Sequence, residues 1–440
     1  MRLWANLAVL AAALSAVAAP ALAQPPAIAG ASALTPLFQA LQASERGARD
    51  GPVEIVQIGD SLTANDYLST GLRQRLQGRF GAGGRGMAPV GAPYRGYHPD
   101  QVEADQSDGW RVEASFGPAL RGERADPVAA PGPFGLSGWR LTTDVAGQTA
   151  TLDAHIGAFF DRATVCALAQ PNGGAMETAA GDVRERISLA AASTQTVCRT
   201  LRFPTPRTHL EVTSLGGRVS LLSWAVSRRG PGVVLSNLGV VGTQLSDFAA
   251  RDDQAIDAEL AVLHPALILL AFGVNEGYRP AVDGAAYQAL LEQQIARLKR
   301  LAPGAAVLVL GAPDAETVRP DIYGTGKAAA FGCAPLTPGE IADYDRLVAT
   351  HDPRLGRWYP PAGLETVRAA QRRTAADQGA AFWDWAARMG GVCSAHVLAR
   401  ANPPLARGDH IHLTPEGGQW LGGVLDSDLM AAYAAWKSGR

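Results

Sequence analysis

Charge is sparse and evenly mixed in this sequence: 39 Lys and Arg stand against 41 Asp and Glu, a formal charge of −2, with no long run of either sign. That lacks the electrostatic footprint used to bind nucleic acid or an anionic membrane surface, and suits a neutral polymer such as a glycan better. Beyond the N-terminus no apolar stretch free of charges and helix breakers reaches the about 20 residues that span a bilayer. Cysteine is limited to Cys166, Cys198, Cys333 and Cys393, with no CxxC spacing. His98, His155, His209, His264, His351 and His396 lack metal-ligand spacing, so neither a structural metal nor a cofactor is expected. A GxSxG elbow is also missing, which disfavours the ordinary α/β-hydrolase serine turn. The Gly-rich run at 81–86 matches GxGxxG only formally, because it follows a helical pattern instead of joining a strand to a helix, and reads as a loop.

What is present begins with export. Arg2 precedes an apolar run over 7–19, and Ala21-Leu22-Ala23 then offers a small-residue cleavage site, so residues 1–23 read as a secretory signal and the mature chain as periplasmic or secreted, without stable membrane insertion. In an oxidising compartment the four cysteines are expected to form disulfides. Three connectivities are open, and proximity in sequence favours 166–198 with 333–393.

A length of 440 residues exceeds what one core usually holds. Helical spacing over 34–46 is followed by an apolar run at 53–58, then Gly59-Asp60-Ser61, then renewed helical spacing through Leu68, Leu72, Leu76 and Phe80. This strand, turn and helix place Ser61 where open α/β sheets bind ligands. From about residue 97 to 231 the texture changes to alternating segments between Gly, Pro and Asp turns, and parallel-strand signals resume at 233–235, 266–270 and 306–310. The expected architecture is an α/β sandwich with a parallel sheet, its first part at 24–98 and its second at 232–440, interrupted by a β-rich insert at 99–231. Lying between two segments of the catalytic edge, the insert is expected to emerge at both ends near the catalytic face. Trp110, Trp139 and Trp224 could stack on sugar rings there, core packing being the plainer reading of each.

Four segments carry the chemistry: Gly59-Asp60-Ser61-Leu62, the run from Asn237 to Gly242, Gly273-Val274-Asn275-Glu276, and Asp409-His410-Ile411-His412 with Leu413-Thr414-Pro415. A serine hydroxyl needs an adjacent imidazole to take its proton, and acyl transfer needs donors for the oxyanion. Ser61 and His412 meet the first need, with Asp409 three residues before His412 to fix its tautomer. Asp60 could instead simply cap a helix, Gly239 serve a turn, and Glu276 be a solvated acid. In this order the four segments resemble the signature blocks of the GDSL/SGNH hydrolases. The resemblance implies a three-layer α/β/α sandwich, a catalytic triad of Ser61, Asp409 and His412, and an oxyanion hole from the backbone N–H of Ser61 and Gly242 and the Asn275 amide. His410 lacks the Asp-x-x-His spacing and is expected at the surface or against substrate.

Beyond these blocks, residues 72–81, the β-rich insert and the run Ala381-Phe382-Trp383-Asp384-Trp385 resemble the periplasmic peptidoglycan O-acetylesterases, although Leu62 stands where histidine is common. That resemblance implies a jelly-roll-like, carbohydrate-binding insert and removal of O-acetyl groups from a cell-envelope polysaccharide, peptidoglycan first, through an acetyl-serine intermediate. A polysaccharide O-acetyltransferase would share the triad, an acetylxylan-type esterase would differ in polymer, and a non-catalytic glycan-binding protein would have no need of it.

Overall fold

The computed structural model describes residues 27–116, 128–278 and 281–439. The proposed signal at 1–23 lies outside them. Six strands form the first sheet, in the order Ile28–Ala29, Ala381–Trp383, Ala306–Leu310, Leu267–Ala271, Val53–Gly59, Val233–Gly239. All pairs are parallel except the Ile28–Ala29 edge. These strands are almost wholly buried, as their continuous Val, Ile and Leu runs require of a sheet covered on both faces. Helices Thr35–Glu45, Tyr67–Phe80 and Pro415–Ser438 associate as one layer, and Leu245–Ala249, Asp253–Leu263, Gly284–Leu301 and Gly363–Asp377 as another, giving an α/β/α sandwich.

In chain order the five parallel strands lie 2-1-3-4-5, with the topological switch between Val53–Gly59 and Leu267–Ala271. Ligands bind outside the carboxyl ends of strands at such a switch. Register brings Gly59, Gly239 and Ala271 level, so the turns that follow three adjacent strands open at one edge. Val240 N–H donates to Gly59 O at 2.9 Å, and Asp60 N–H to Ala271 O at 3.3 Å, which ties these turns together.

The β-rich region is two sheets around a second core that includes Trp110, Trp139 and Trp224, all buried. These tryptophans therefore present no face to a sugar. One sheet has five strands; the other has seven and takes in Gly86–Ala88, paired with Val219–Ser227. The β unit thus recruits a strand ahead of residue 99. Its junctions with the hydrolase sheet differ from expectation: Gly83 N–H donates to Val233 O, and Val233 N–H to Gly81 O, so the chain enters and leaves beside the first residue of Val233–Gly239. That is the end of the sheet opposite the catalytic edge. A strand inserted before a parallel strand must deliver the chain to that strand's start, a constraint that sequence position alone conceals.

Cys166–Cys198 joins directly opposed residues of adjacent strands in the second sheet, and Cys333–Cys393 joins two segments of the hydrolase region. Closing intervals of 32 and 60 residues restricts the unfolded chain by about 4 kcal/mol each in the loop-entropy account.

A buried clasp holds the insert to the sandwich. Glu259 accepts from Leu136 N–H at 2.5 Å and from Ser223 Oγ, while Arg251 Nη1 donates to Leu136 O. Burial pushes the Glu259 carboxyl from its ordinary 4.5 up to about 7, against those hydrogen bonds and nearby Arg251. The folded protein then keeps a proton that the unfolded chain releases, so this group's contribution to stability is complete below 4.5 and is lost as pH rises through 7. In Glu259→Gln the gap between melting temperatures at about pH 5 and about pH 8 should be smaller than in the wild type, measured by calorimetry. An unchanged gap would remove Glu259 from the pH dependence.

Candidate active site

Ser61 opens the short helix Ser61–Ala64, directly after the strand Val53–Gly59. Asp60 caps that helix, its Oδ1 accepting Leu62 N–H at 3.0 Å. Burial pushes the Asp60 carboxyl up to about 8, with Glu276 adding to the effect. A neutral acid beneath Ser61 sets no buried negative charge against its hydroxyl. Asn237 reaches across from the neighbouring strand, donating to Thr63 O at 2.7 Å and Asp66 Oδ1 at 3.0 Å, and so fixes the far end of the same helix. Gly239, the last residue of its strand and not a turn glycine, leaves room for this helix: a Cβ there would lie 2.2 Å from Ala64 N.

His412 Nε2 lies 2.9 Å from Ser61 Oγ, and His412 Nδ1 lies 2.8 Å from Asp409 Oδ2. With Nδ1–H donating to the carboxylate, the neutral ring turns an acceptor nitrogen toward the serine hydroxyl. Asp409 Oδ1 accepts the backbone N–H of Ile411 at 2.9 Å and of His412 at 3.0 Å. Burial raises the Asp409 carboxyl, but the His412 ring and the two backbone N–H groups outweigh it and hold it at about 2. The carboxylate therefore stays ionised across the working range of an imidazole base.

Asn275 lies in Val274–Gly277, the short helix after Leu267–Ala271. One of its amide N–H groups donates to Thr243 O at 2.8 Å, which orients the other. Gly242 sits at φ 75 in the turn beyond Val233–Gly239, a conformation natural to glycine. Glu276 is not a solvated acid: it is largely buried and accepts Leu245 N–H at 2.8 Å, joining the Asn275 turn to the helix after Gly242.

Two helices carry the distant ends of the site together. Tyr67–Phe80 follows the Ser61 turn, and Pro415–Ser438 follows His412, its first turn capped by Thr414. They meet backbone to backbone: a Cβ on Gly418 would stand 2.2 Å from Tyr67 Cβ, and one on Gly422 would stand 2.6 Å from Leu68 O.

His410 differs from expectation. It is buried, neither at the surface nor open to substrate, because its ring stacks on Trp358 at 3.7 Å and meets the edge of His396 at 5.0 Å. Trp358 belongs to residues 313–362, a segment between Ala306–Leu310 and Gly363–Asp377 with small cores of its own around Trp358 and Tyr359. Sequence reasoning missed this cap. Its available signal was Asp314 and Glu316 just after a fourth parallel strand, at the same edge as the other blocks. A Glu316 oxygen and the sulfurs of Cys333 and Cys393 lie within 4.8 Å of one another, but the sulfurs are joined as a disulfide and offer no thiolate to a cation.

The helix seam yields a paired test. Gly422→Ala places its Cβ against backbone at 2.6–2.8 Å, whereas Gly423→Ala meets only the movable guanidinium of Arg75. Gly422→Ala should cost about 1–3 kcal/mol of stability and lower turnover by shifting His412. Gly423→Ala should leave both unchanged or gain slightly from helix propensity, of the order of 1 kcal/mol. Equal melting temperatures for the two variants would contradict the seam.

The chain matches the GDSL-like Lipase/Acylhydrolase family over residues 205–420, a stretch that contains Gly242, Asn275, Asp409 and His412 but not Ser61. No curated protein matches it. Among solved structures it is similar to a peptidoglycan O-acetylesterase, with 23% identity, a TM-score of 0.70, and coverage of 92% of this chain and 97% of that one. Looser likenesses are to a GDSL-like lipase from Parabacteroides merdae, at 14% identity and TM-score 0.30 over 47% of this chain and 73% of that one, and to a family two carbohydrate esterase from Clostridium thermocellum, at 12% identity and TM-score 0.24 over 66% and 93%. Residues 205–420 therefore carry a GDSL-like lipase/acylhydrolase domain, that of a carboxylic ester hydrolase, in a chain whose fold is shared with the peptidoglycan O-acetylesterase.

Proposed function

We propose that this esterase removes O-acetyl groups from a cell-envelope polysaccharide, peptidoglycan first, with Ser61 as nucleophile, His412 as general base and Asp409 as its orienting carboxylate. The observation that carries the reading is the unbroken line from Ser61 Oγ through the His412 ring to Asp409, at 2.9 and 2.8 Å. In this mechanism Ser61 Oγ attacks the acetyl carbonyl carbon while His412 Nε2 takes the hydroxyl proton. The carbonyl electron pair moves to oxygen, and the N–H groups of Ser61 and Gly242 with the Asn275 amide stabilise the oxyanion. Collapse breaks the bond to the sugar oxygen, which leaves with the proton from His412. Water then attacks acetyl-Ser61 by the same route in reverse, releasing acetate and restoring the serine.

Support for the substrate class comes from the shared architecture: likeness to the peptidoglycan O-acetylesterase runs over 92% of this chain, insert included. The insert also reaches the nucleophile. Tyr94 OH donates to Ala64 O at 3.2 Å, and the Tyr94 ring meets Trp139 of the insert core at 5.7 Å. We place the enzyme outside the cytoplasm, in the periplasm or secreted. Both disulfides favour that compartment, and among the described residues no helix is long and apolar enough to cross a membrane.

Acetate release from O-acetylated peptidoglycan, acetylated xylan and nitrophenyl acetate tests the reading. Peptidoglycan should give the largest kcat/KM, Ser61→Ala should abolish release while keeping the wild-type melting temperature, and Asn275→Ala should lower kcat on the order of 10²–10³-fold with little change in KM. Full activity of Ser61→Ala would discard the mechanism. A preference for xylan would discard the substrate, and acetyl appearing on an acceptor sugar without free acetate would make the enzyme a transferase.

A further inference from the structure

His410 stands between the two residues assigned as orienting acid and base, yet its buried ring packs against Trp358 and His396. Its backbone is at φ 58, a left-handed conformation that glycine adopts without strain and a bulky side chain does not. A histidine kept there must be held by its surroundings. The surroundings come from three other segments. Trp358 of the cap stacks on its ring at 3.7 Å, at an interplanar angle of 29°. His396, from the helix Ser394–Ala399, meets the ring in a T-shaped contact at 5.0 Å. Glu316 Oε2 lies 3.7 Å from His410 Nδ1, and Glu316 N–H donates to His410 O at 3.0 Å.

Each of these partners is itself fixed. Trp358 Nε1 donates to Ala328 O at 3.0 Å, and Cys333, which bridges to Trp358, is bonded to Cys393 at the head of the His396 helix. Asp314 Oδ2 accepts Ser394 N–H at 2.7 Å at the same point. Asp409 and His412, by contrast, sit in a loop outside any helix or strand, each side chain 28% exposed, which is closed by Arg407 N–H donating to His412 O at 2.7 Å and by Asp409 Oδ1 on the backbone of Ile411 and His412. Catalytic geometry needs that spacing to hold within about 0.5 Å.

We infer that His410 is a positioning residue: gripped between Trp358 and His396 and backed by Glu316, its side chain sets the loop that brings Asp409 and His412 into line with Ser61. The cap at 313–362 is then the support of the catalytic loop. Burial acts in the same direction on His410, pushing its imidazole down to about 4 so that the ring carries no charge beside Asp409 at neutral pH, while burial and neighbouring Asp314 push the Glu316 carboxyl up. The inference rests on His412 being the general base.

The test uses the full-length enzyme, kcat and KM on a small acetyl ester, and the low-field proton NMR signal of the hydrogen shared by His412 Nδ1 and Asp409 Oδ2. His410→Asn keeps a residue that tolerates positive φ but removes the stacked ring. Together with Trp358→Leu it should lower kcat on the order of 10- to 100-fold, leave KM within about twofold, and shift or broaden the low-field signal. Trp358→Phe retains an aromatic face but loses the Nε1 bond to Ala328 O, so its kcat should fall less than that of Trp358→Leu. A folded His410→Asn with wild-type kcat and an unmoved signal would overturn the clamp. Should that variant not fold, wild-type kcat in Trp358→Leu would overturn it equally. Asp409→Asn separates the two levels of the proposal: if it keeps full kcat, the assignment of His412 and Asp409 has failed and not the clamp alone.

Discussion

The hydrogen bond from Ser61 Oγ to His412 Nε2 joins residues 351 positions apart, and nearly every feature of the sandwich serves to close that distance. Parallel strands in register bring Gly59, Gly239 and Ala271 level, so that short turns place Ser61, Gly242 and Asn275 at one edge without long loops. His412 has no parallel strand of its own at that edge. It arrives through a loop ahead of the C-terminal helix, and the close approach of Gly418 and Gly422 to the helix behind Ser61 brings it in. A bulkier residue at this seam would move His412 relative to Ser61 as two rigid rods.

Two additions to the sandwich meet the site differently. The β insert joins at the opposite end of the sheet, beside Val233, and climbs to the helix that Ser61 opens, where Tyr94 makes contact. Its attachment through Glu259, Arg251 and Leu136 is buried and hydrogen-bonded, which suits a fixed wall better than a tethered module. The cap at 313–362 lies instead at the catalytic edge and reaches His410 through Trp358.

Much of this was legible in the chain. The apolar run before Gly59-Asp60-Ser61 identified a strand ending in a reactive turn, because a buried parallel strand must be continuously apolar. Proximity favoured the disulfides that form, and Cys166 stands opposite Cys198 because the chain passes through Ala175–Ala180 and Val183–Ser188 of the other sheet and returns to pair beside Phe160–Ala169. His410 was not legible: a polar residue in a loop looks solvated until the distant Trp358 and His396 are known to enclose it. Nor was Asn237, whose amide serves the nucleophile helix from another strand, because such a contact follows from register and not from local pattern. The cap escaped notice because its helices are only five and six residues long and its cores small, leaving no sustained periodicity. The junctions of the insert were misjudged for a similar reason, since chain order reveals which elements it separates but not which end of the sheet it leaves from.

The proposed mechanism passes through an acetyl group on Ser61, and trapping that species tests it most directly. Wild-type enzyme would be mixed with an activated acetyl ester, quenched in acid within the first turnover and mapped by peptide mass spectrometry. The mechanism requires one acetyl group on the peptide bearing Ser61, absent from Ser61→Ala and lost again when the enzyme is left to turn over before quenching. Acetate formed in a burst with no acetylated peptide, or acetyl carried by a residue other than Ser61, would contradict it.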